Sequence, residues 1–175
     1  MQRPLSKRLK INRWQLVAAA SVFLLVATSP SLAIEPGQKA PNFKLKRLEG
    51  EGNLGLSDYR GKVVYLDFWA TWCAPCLKAA PALEILRGEF PASKFQVLAV
   101  NVDKKTKKAL KFLAKNNVGY PSVSNPKGDV PDKFDLRTMP TAYLIDQKGI
   151  VRYVHKGFRD GDLDKIREEV RKIIN

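Results

Sequence analysis

From residue 63 onward the apolar positions alternate between short unbroken runs and stretches spaced three and four residues apart, which predicts strands and helices taken in turn. Val63–Ala70 (VVYLDFWA) is rich in β-branched and aromatic residues and bounded by Gly61, the pattern of a buried strand. Ala- and Leu-rich sequence follows and predicts a helix through Ala79, Leu83, Ile85 and Leu86, with Pro81 inside as a kink and Gly88 and Pro91 as its end. Phe95–Val102 (FQVLAVNV) is the next strand. Lys104–Asn116 is a basic helix with Leu110, Leu113 and Ala114 on one side, Phe112 flanking, and Asp103 and Thr106 as candidate caps. Tyr120–Ser124 predicts a strand, Asn125–Gly128 a turn, and Asp132–Leu136 a short helix. Thr141–Asp146 and Ile150–Lys156 flank Gln147-Lys148-Gly149 and predict a hairpin. Leu163, Ile166, Val170, Ile173 and Ile174 make an amphipathic last helix. Before all of these, Phe43, Leu45 and Leu48 alternate with lysines as in a half-exposed strand, and Glu49–Asn53 and Arg60-Gly61-Lys62 are turns.

Residues 1–33 break this pattern. Arg3, Lys7, Arg8, Lys10 and Arg13 precede an apolar core, Trp14–Thr28, and Pro30 and Ser31-Leu32-Ala33 follow, as in a secretory signal cut after Ala33. An uncleaved anchor is the other reading, although the apolar run of about 15 residues is short of the ~20 that span a bilayer. Either way the thiols would face an oxidising compartment. The chain carries 31 basic and 17 acidic residues, net +14. The first 33 residues hold five of the bases and no acid, so residues 34–175 keep 26 against 17, or +9. Such a surface favours acidic partners or anionic lipid, or is simply well solvated. Nucleic acid is not an expected partner for an exported chain without a recognition motif. Residues 34–175 suffice for one domain with a sizeable core.

The candidate chemistry sits between the first buried strand and its helix. Cys73 and Cys76 are the only cysteines, and their spacing places the sulfurs about one helical turn apart, close enough for a small disulfide. Pro75 falls in the first turn, where a missing N–H costs nothing. Cys73 lies at the helix start, where free N–H groups and the dipole favour a thiolate; Cys76 lies deeper. This suggests thiol–disulfide exchange, with Cys73 attacking and Cys76 resolving the mixed disulfide. Structural zinc would need two more ligands, and the chain has no other Cys and a single His, His155. A purely structural disulfide closes too small a loop to remove much chain entropy. Asp67 is the one charge in its strand, and burying it is expensive unless it is protonated or hydrogen-bonded; it could instead turn to solvent. His155 has no evident triad partner and reads as a surface residue.

The stretch DFWATWCAPC resembles the active site of the thioredoxin superfamily, and WATWCAPC in particular resembles the TlpA/ResA-type extracytoplasmic thiol:disulfide oxidoreductases. The resemblance runs from about Gly37 to the C-terminus. It implies an α/β thioredoxin fold: a mixed central sheet with flanking helices, an N-terminal hairpin, and a central insertion between Phe95 and Lys133. By the same resemblance Asp67 is the proton acceptor and donor beneath the inner cysteine, and Pro140 in Thr138-Met139-Pro140-Thr141 is a cis-proline facing the cysteines. Met139 and Trp72, with Ala74 and Pro75 between the cysteines, are then expected to meet substrate, and Trp69 to serve packing. Reductive members of the group often carry a glutamate shortly after the second cysteine; Leu77–Pro81 here holds no acid. The expected activity is disulfide exchange with exported proteins, as a reductant supplied by a membrane thiol donor, with apocytochromes c as candidate substrates. No cofactor or metal is expected, and the protein is expected to be a monomer. A disulfide-donating oxidant, a thiol peroxidase and a non-catalytic copper-handling module are the alternatives; the last would have only Met139 to recruit once Met1 is lost.

Overall fold

A computed structural model describes residues 33–174. The expected signal segment up to Leu32 lies outside the described residues. The frame is a five-stranded mixed sheet in the order β5-β4-β3-β6-β7. It comprises β3 (Val63–Trp69), β4 (Phe95–Asn101), β5 (Ser122–Ser124), β6 (Thr141–Ile145) and β7 (Val151–Lys156). β4 runs parallel to both β3 and β5, whereas β6 is antiparallel to β3 and to β7. This is the thioredoxin fold. A separate two-stranded hairpin, β1 (Lys44–Lys46) and β2 (Asn53–Gly55), precedes it, and a 3-10 turn (Leu56–Tyr59) follows β2. Gly55 is required there, since a Cβ would lie 1.9 Å from the Phe43 carbonyl oxygen.

β3 is buried at all seven positions, which is why its sequence is continuously apolar instead of alternating. One face of the sheet carries Tyr65, Trp69, Val97, Ala99, Ala142 and Leu144, covered by α1 (Ala74–Gly88), α2 (Thr106–Lys115) and α4 (Asp162–Ile173). The other face carries Leu66, Phe68, Val100 and Tyr143, covered by α3 (Asp129–Lys133) and the N-terminal residues Ala40 and Phe43. Leu83 and Leu86 of α1 are buried, and each contributes roughly 1.5–3 kcal/mol by removing apolar surface from water. α1 continues through Pro81.

Four local expectations are corrected. α2 begins without a side-chain cap: Lys105 is its N-cap residue and Thr106 its first helical one, because Asp103 is engaged elsewhere. Ala109, not Ala114, joins Leu113 on the buried side of that helix, and Ala114 is exposed. The strand expected over 120–124 is confined to Ser122–Ser124, because the Tyr120 N–H is taken by Glu84 Oε2 at 3.0 Å. The short helix lies three residues earlier than expected. Asn125 Oδ1 accepts the Val130 N–H at 3.2 Å and Pro131 falls in the first turn, while Asp135 at φ 47° ends the helix before Leu136.

Candidate active site

β3 delivers the chain to the top of the sheet, and Cys73 is the N-cap residue of α1 with an extended backbone. Its Sγ accepts the Cys76 N–H at 3.3 Å, and the two sulfurs are joined, with the Cα atoms 5.3 Å apart. Pro75 occupies the first turn. In the disulfide, Cys73 is 6% exposed and Cys76, as expected of the deeper cysteine, is fully enclosed. Cys73 is therefore the only one of the pair at the surface, but narrowly. Ala74 is exposed and Pro75 half-buried beside it.

Trp72 stands 68% exposed. It lines an open hollow with Leu136, Arg137, Thr138 and Met139. The Met139–Pro140 bond is cis, and Pro140 is buried directly before β6. Thr141 is in register with Phe68, so Pro140 lies beside the end of β3 from which the cysteine loop departs. Met139 packs against the cluster that contains both cysteines. Trp69 packs, its indole N–H donating to Ser122 Oγ at 3.2 Å and its ring 5.8 Å from that of Phe112.

Asp67 lies two residues from both Tyr65 and Trp69 and so shares their face, the one that carries Cys76. It is 2% exposed, which excludes the solvent-turned alternative. No hydrogen bond reaches its carboxyl among the described residues, and burial pushes its pKa up to about 8. Burial, reinforced by the charge of Asp67, also holds the Tyr65 and Tyr120 hydroxyls well above their usual range. The stretch after Cys76 supplies no acid. The next on α1 is Glu84, whose carboxylate holds the Gly119 and Tyr120 N–H groups, each at 3.0 Å.

Two features escape a reading of the sequence. Asp103, 32 residues from the cysteine loop, accepts the Thr71 N–H at 3.0 Å and the Thr71 hydroxyl at 2.9 Å, and is itself steadied by Asn101 Nδ2 at 2.9 Å. It anchors the loop that presents Trp72. The only signal in the sequence is a carboxylate shortly after a buried strand. The second is a correction: His155 is buried, with Nδ1 3.3 Å from Tyr153 Oη and Nε2 3.4 Å from Asp162 Oδ2. At 3.4 Å the latter is longer than an ordinary N–H···O bond, and Nε2 has no hydrogen-bond partner among the described residues. Among the described residues no group of three or more His, Cys, Asp or Glu side chains is arranged to hold a metal.

Residues 36–154 match the AhpC/TSA family model. The chain is 40% identical over 129 residues to the thioredoxin-like protein YneN of Bacillus subtilis, covering 72% of this chain and 74% of that one. It is 33% identical over 138 residues to the thiol-disulfide oxidoreductase ResA of Halalkalibacterium halodurans, covering 79% and 76%. Its fold is similar to the crystal structure of a Chlorobium tepidum protein designated thiol:disulfide interchange protein DsbE. The TM-score is 0.77 at 39% identity, over 82% of this chain and 100% of that one.

Proposed function

The chain belongs to the AhpC/TSA family and is a thioredoxin-like thiol-disulfide oxidoreductase, and from that premise we propose that it reduces disulfides in exported proteins outside the cytoplasmic membrane, apocytochromes c among them. The observation that carries the site assignment is the joined pair at a helix start above a buried acid: Cys73 at the cap, Cys76 enclosed, and Asp67 on the same face.

In the reduced protein the Cys73 thiolate attacks a substrate disulfide, forming a mixed disulfide and expelling one substrate thiolate. The Asp67 carboxylate takes the proton of Cys76, and the Cys76 thiolate then attacks Cys73 Sγ. This releases the second substrate thiolate and leaves Cys73–Cys76 oxidised. Two electrons pass to substrate, and a thiol donor must return them. Trp72 and Met139, on one hollow beside the cap, would seat the substrate chain. The direction of flow rests on the TlpA/ResA resemblance, and the location on the signal-like pattern of residues 1–33.

The test is redox equilibration with glutathione, combined with trapping by Cys76→Ser. A reductant should have a potential below roughly −230 mV, and Cys76→Ser should accumulate a mixed disulfide with a disulfide-bonded protein through Cys73. A potential near roughly −120 mV, the range of a strong oxidant, would reverse the direction. A variant that captures only small thiols would end the protein-substrate reading.

A further inference from the structure

The strand register lays a row of residues across the face that carries the cysteines. Asp67 of β3 is opposite Ala142 of β6, and Ala142 is opposite His155 of β7. Residues directly opposite project on the same side of a sheet, so the acid and the imidazole share one face with only a methyl group between them. Two strand spacings separate their Cα atoms by about 10 Å. On the other side of Asp67 the row continues with Ala99 and Ser122. The buried acid thus has an alanine on each side and, among the described residues, no cation beside it.

His155 is seated as a proton carrier would be. Nδ1 faces the Tyr153 hydroxyl, and Nε2, buried and unpartnered, faces the Asp162 carboxylate. Asp162 is held by the Arg159 N–H at 2.8 Å and by Lys165 Nζ at 3.1 Å. Those contacts outweigh the opposing effect of burial and keep its carboxyl below the usual range, so it stays ionised. The Lys165 side chain is 68% exposed, so the assembly opens to solvent at that end. At the inner end Tyr65 of β3 is opposite Leu144 and Leu144 is opposite Tyr153 of β7, so the two phenols flank the same row on the face of Asp67 and His155. Glu84 acts on Tyr120, and Glu169, Lys165 and Lys172 act on Tyr153. Phe158 closes the remaining side of the imidazole, its ring 6.4 Å away.

We propose that His155 is a positioning residue for the exchange reaction, the base that accepts the proton Asp67 must shed before its carboxylate can deprotonate Cys76. The inference rests on the thiol–disulfide exchange reading above. The proton leaves Asp67 through water on the face it shares with His155, since no side chain among the described residues is hydrogen-bonded to its carboxyl, and arrives on His155 beside the Tyr153 hydroxyl. Nothing is oxidised or reduced in this step. The imidazolium faces the Asp162 carboxylate until the proton passes to solvent beside Lys165. Burial lowers the basicity of the imidazole and Asp162 opposes that, which suits a residue that holds a proton briefly.

The test separates the two cysteine steps. Stopped-flow reduction of a protein disulfide by the reduced enzyme at pH 7 gives the resolution rate. The Cys76→Ser background gives the rate of Cys73 attack alone. His155→Gln should slow resolution about tenfold, less than the roughly 10²-fold or more for removing a general acid–base group itself. It should leave Cys73 attack unchanged, and it should add nothing in an Asp67→Asn background. If His155→Gln slows attack and resolution equally, or multiplies with Asp67→Asn, the relay is wrong and the residue is structural. If Asp67→Asn itself leaves resolution unchanged, the proposed chemistry fails before the relay is reached. A measurement on the unsubstituted protein in its disulfide form, where the cysteines do not titrate, guards against a variant that does not fold. The chain has one histidine, so its imidazole NMR signal is unambiguous. It should show a second inflection at the titration of Asp67, about pH 8. A single inflection across the whole titration would overturn the proposal.

Discussion

Replacing Asp67 with Asn should make the protein more stable than the parent as pH rises, and the size of the effect follows from burial. The carboxyl goes from its ordinary 3.8 to about 8 on folding, with burial as the cause. Its folded pKa is raised, so the native state favours the protonated acid. The full stability is present below pH 3.8 and is lost as pH climbs through the folded value. A pKa change of one is worth about 1.36 kcal/mol, so the rise from 3.8 to about 8 costs on the order of 6 kcal/mol above pH 8. At pH 7, roughly three pH units above the unfolded value, the cost is about 4 kcal/mol. Asn carries no charge in either state and escapes this cost. It incurs instead a pH-independent penalty of roughly 1–3 kcal/mol for burying unpartnered amide groups. The stability difference between Asp67→Asn and the parent should therefore grow by about 4 kcal/mol from pH 4 to pH 7, crossing from unfavourable to favourable to the variant. Urea unfolding of both proteins in the disulfide form, where the cysteines do not titrate, measures the difference at each pH. Two stability profiles that run parallel within about 0.5 kcal/mol would refute the reasoning, because they would mean that position 67 does not exchange a proton on folding.

Two further outcomes test the frame around the cysteines. Asp103→Ala should cost about 1–3 kcal/mol, since it leaves the Thr71 N–H and hydroxyl without their acceptor; it should also slow mixed-disulfide formation, read by stopped-flow, because the Trp72 loop is no longer anchored. Trp72→Ala should shift the melting temperature little, as expected within about 0.5 kcal/mol for an exposed side chain, yet lower kcat/KM for a disulfide-bonded protein more than for a small disulfide.

The sheet was legible because its central strands are buried on both faces and so spell unbroken apolar runs; Val63–Trp69 and Phe95–Asn101 lie where those runs put them. The cysteine pair was legible because a spacing of three at a helix start is a local property. The errors arise where a polar side chain had two possible partners. Asp103 closely precedes a helix and reads as a cap, but its actual partner, Thr71, is 32 residues away. Asn125 and Gly128 read as turn residues, and the side chain of Asn125 also starts α3 earlier than hydrophobic spacing suggests. His155 alternates correctly with its neighbours for a strand, but which side it faces, and that α4 brings Asp162 over it, depends on tertiary contacts.

The same dependence explains how an acid persists at position 67. In water a carboxylate costs nothing, and in β3 it opposes folding by several kcal/mol at neutral pH. Isolated charges buried at such cost are normally relieved by a neighbouring cation or by backbone N–H donors. Here the flanking positions of the row hold Ala99 and Ala142, and no donor reaches the carboxyl among the described residues. A lysine at either alanine would relieve the cost, but would also keep the acid ionised through the pH range in which thiols exchange. The alanines leave it near its titration point, able to give and take a proton. Stability is thus lowered at the one place where the proposed reaction needs a group that is neither firmly charged nor firmly neutral. The two cores on either side of the sheet, each with several fully buried large side chains, are what allow the fold to bear it.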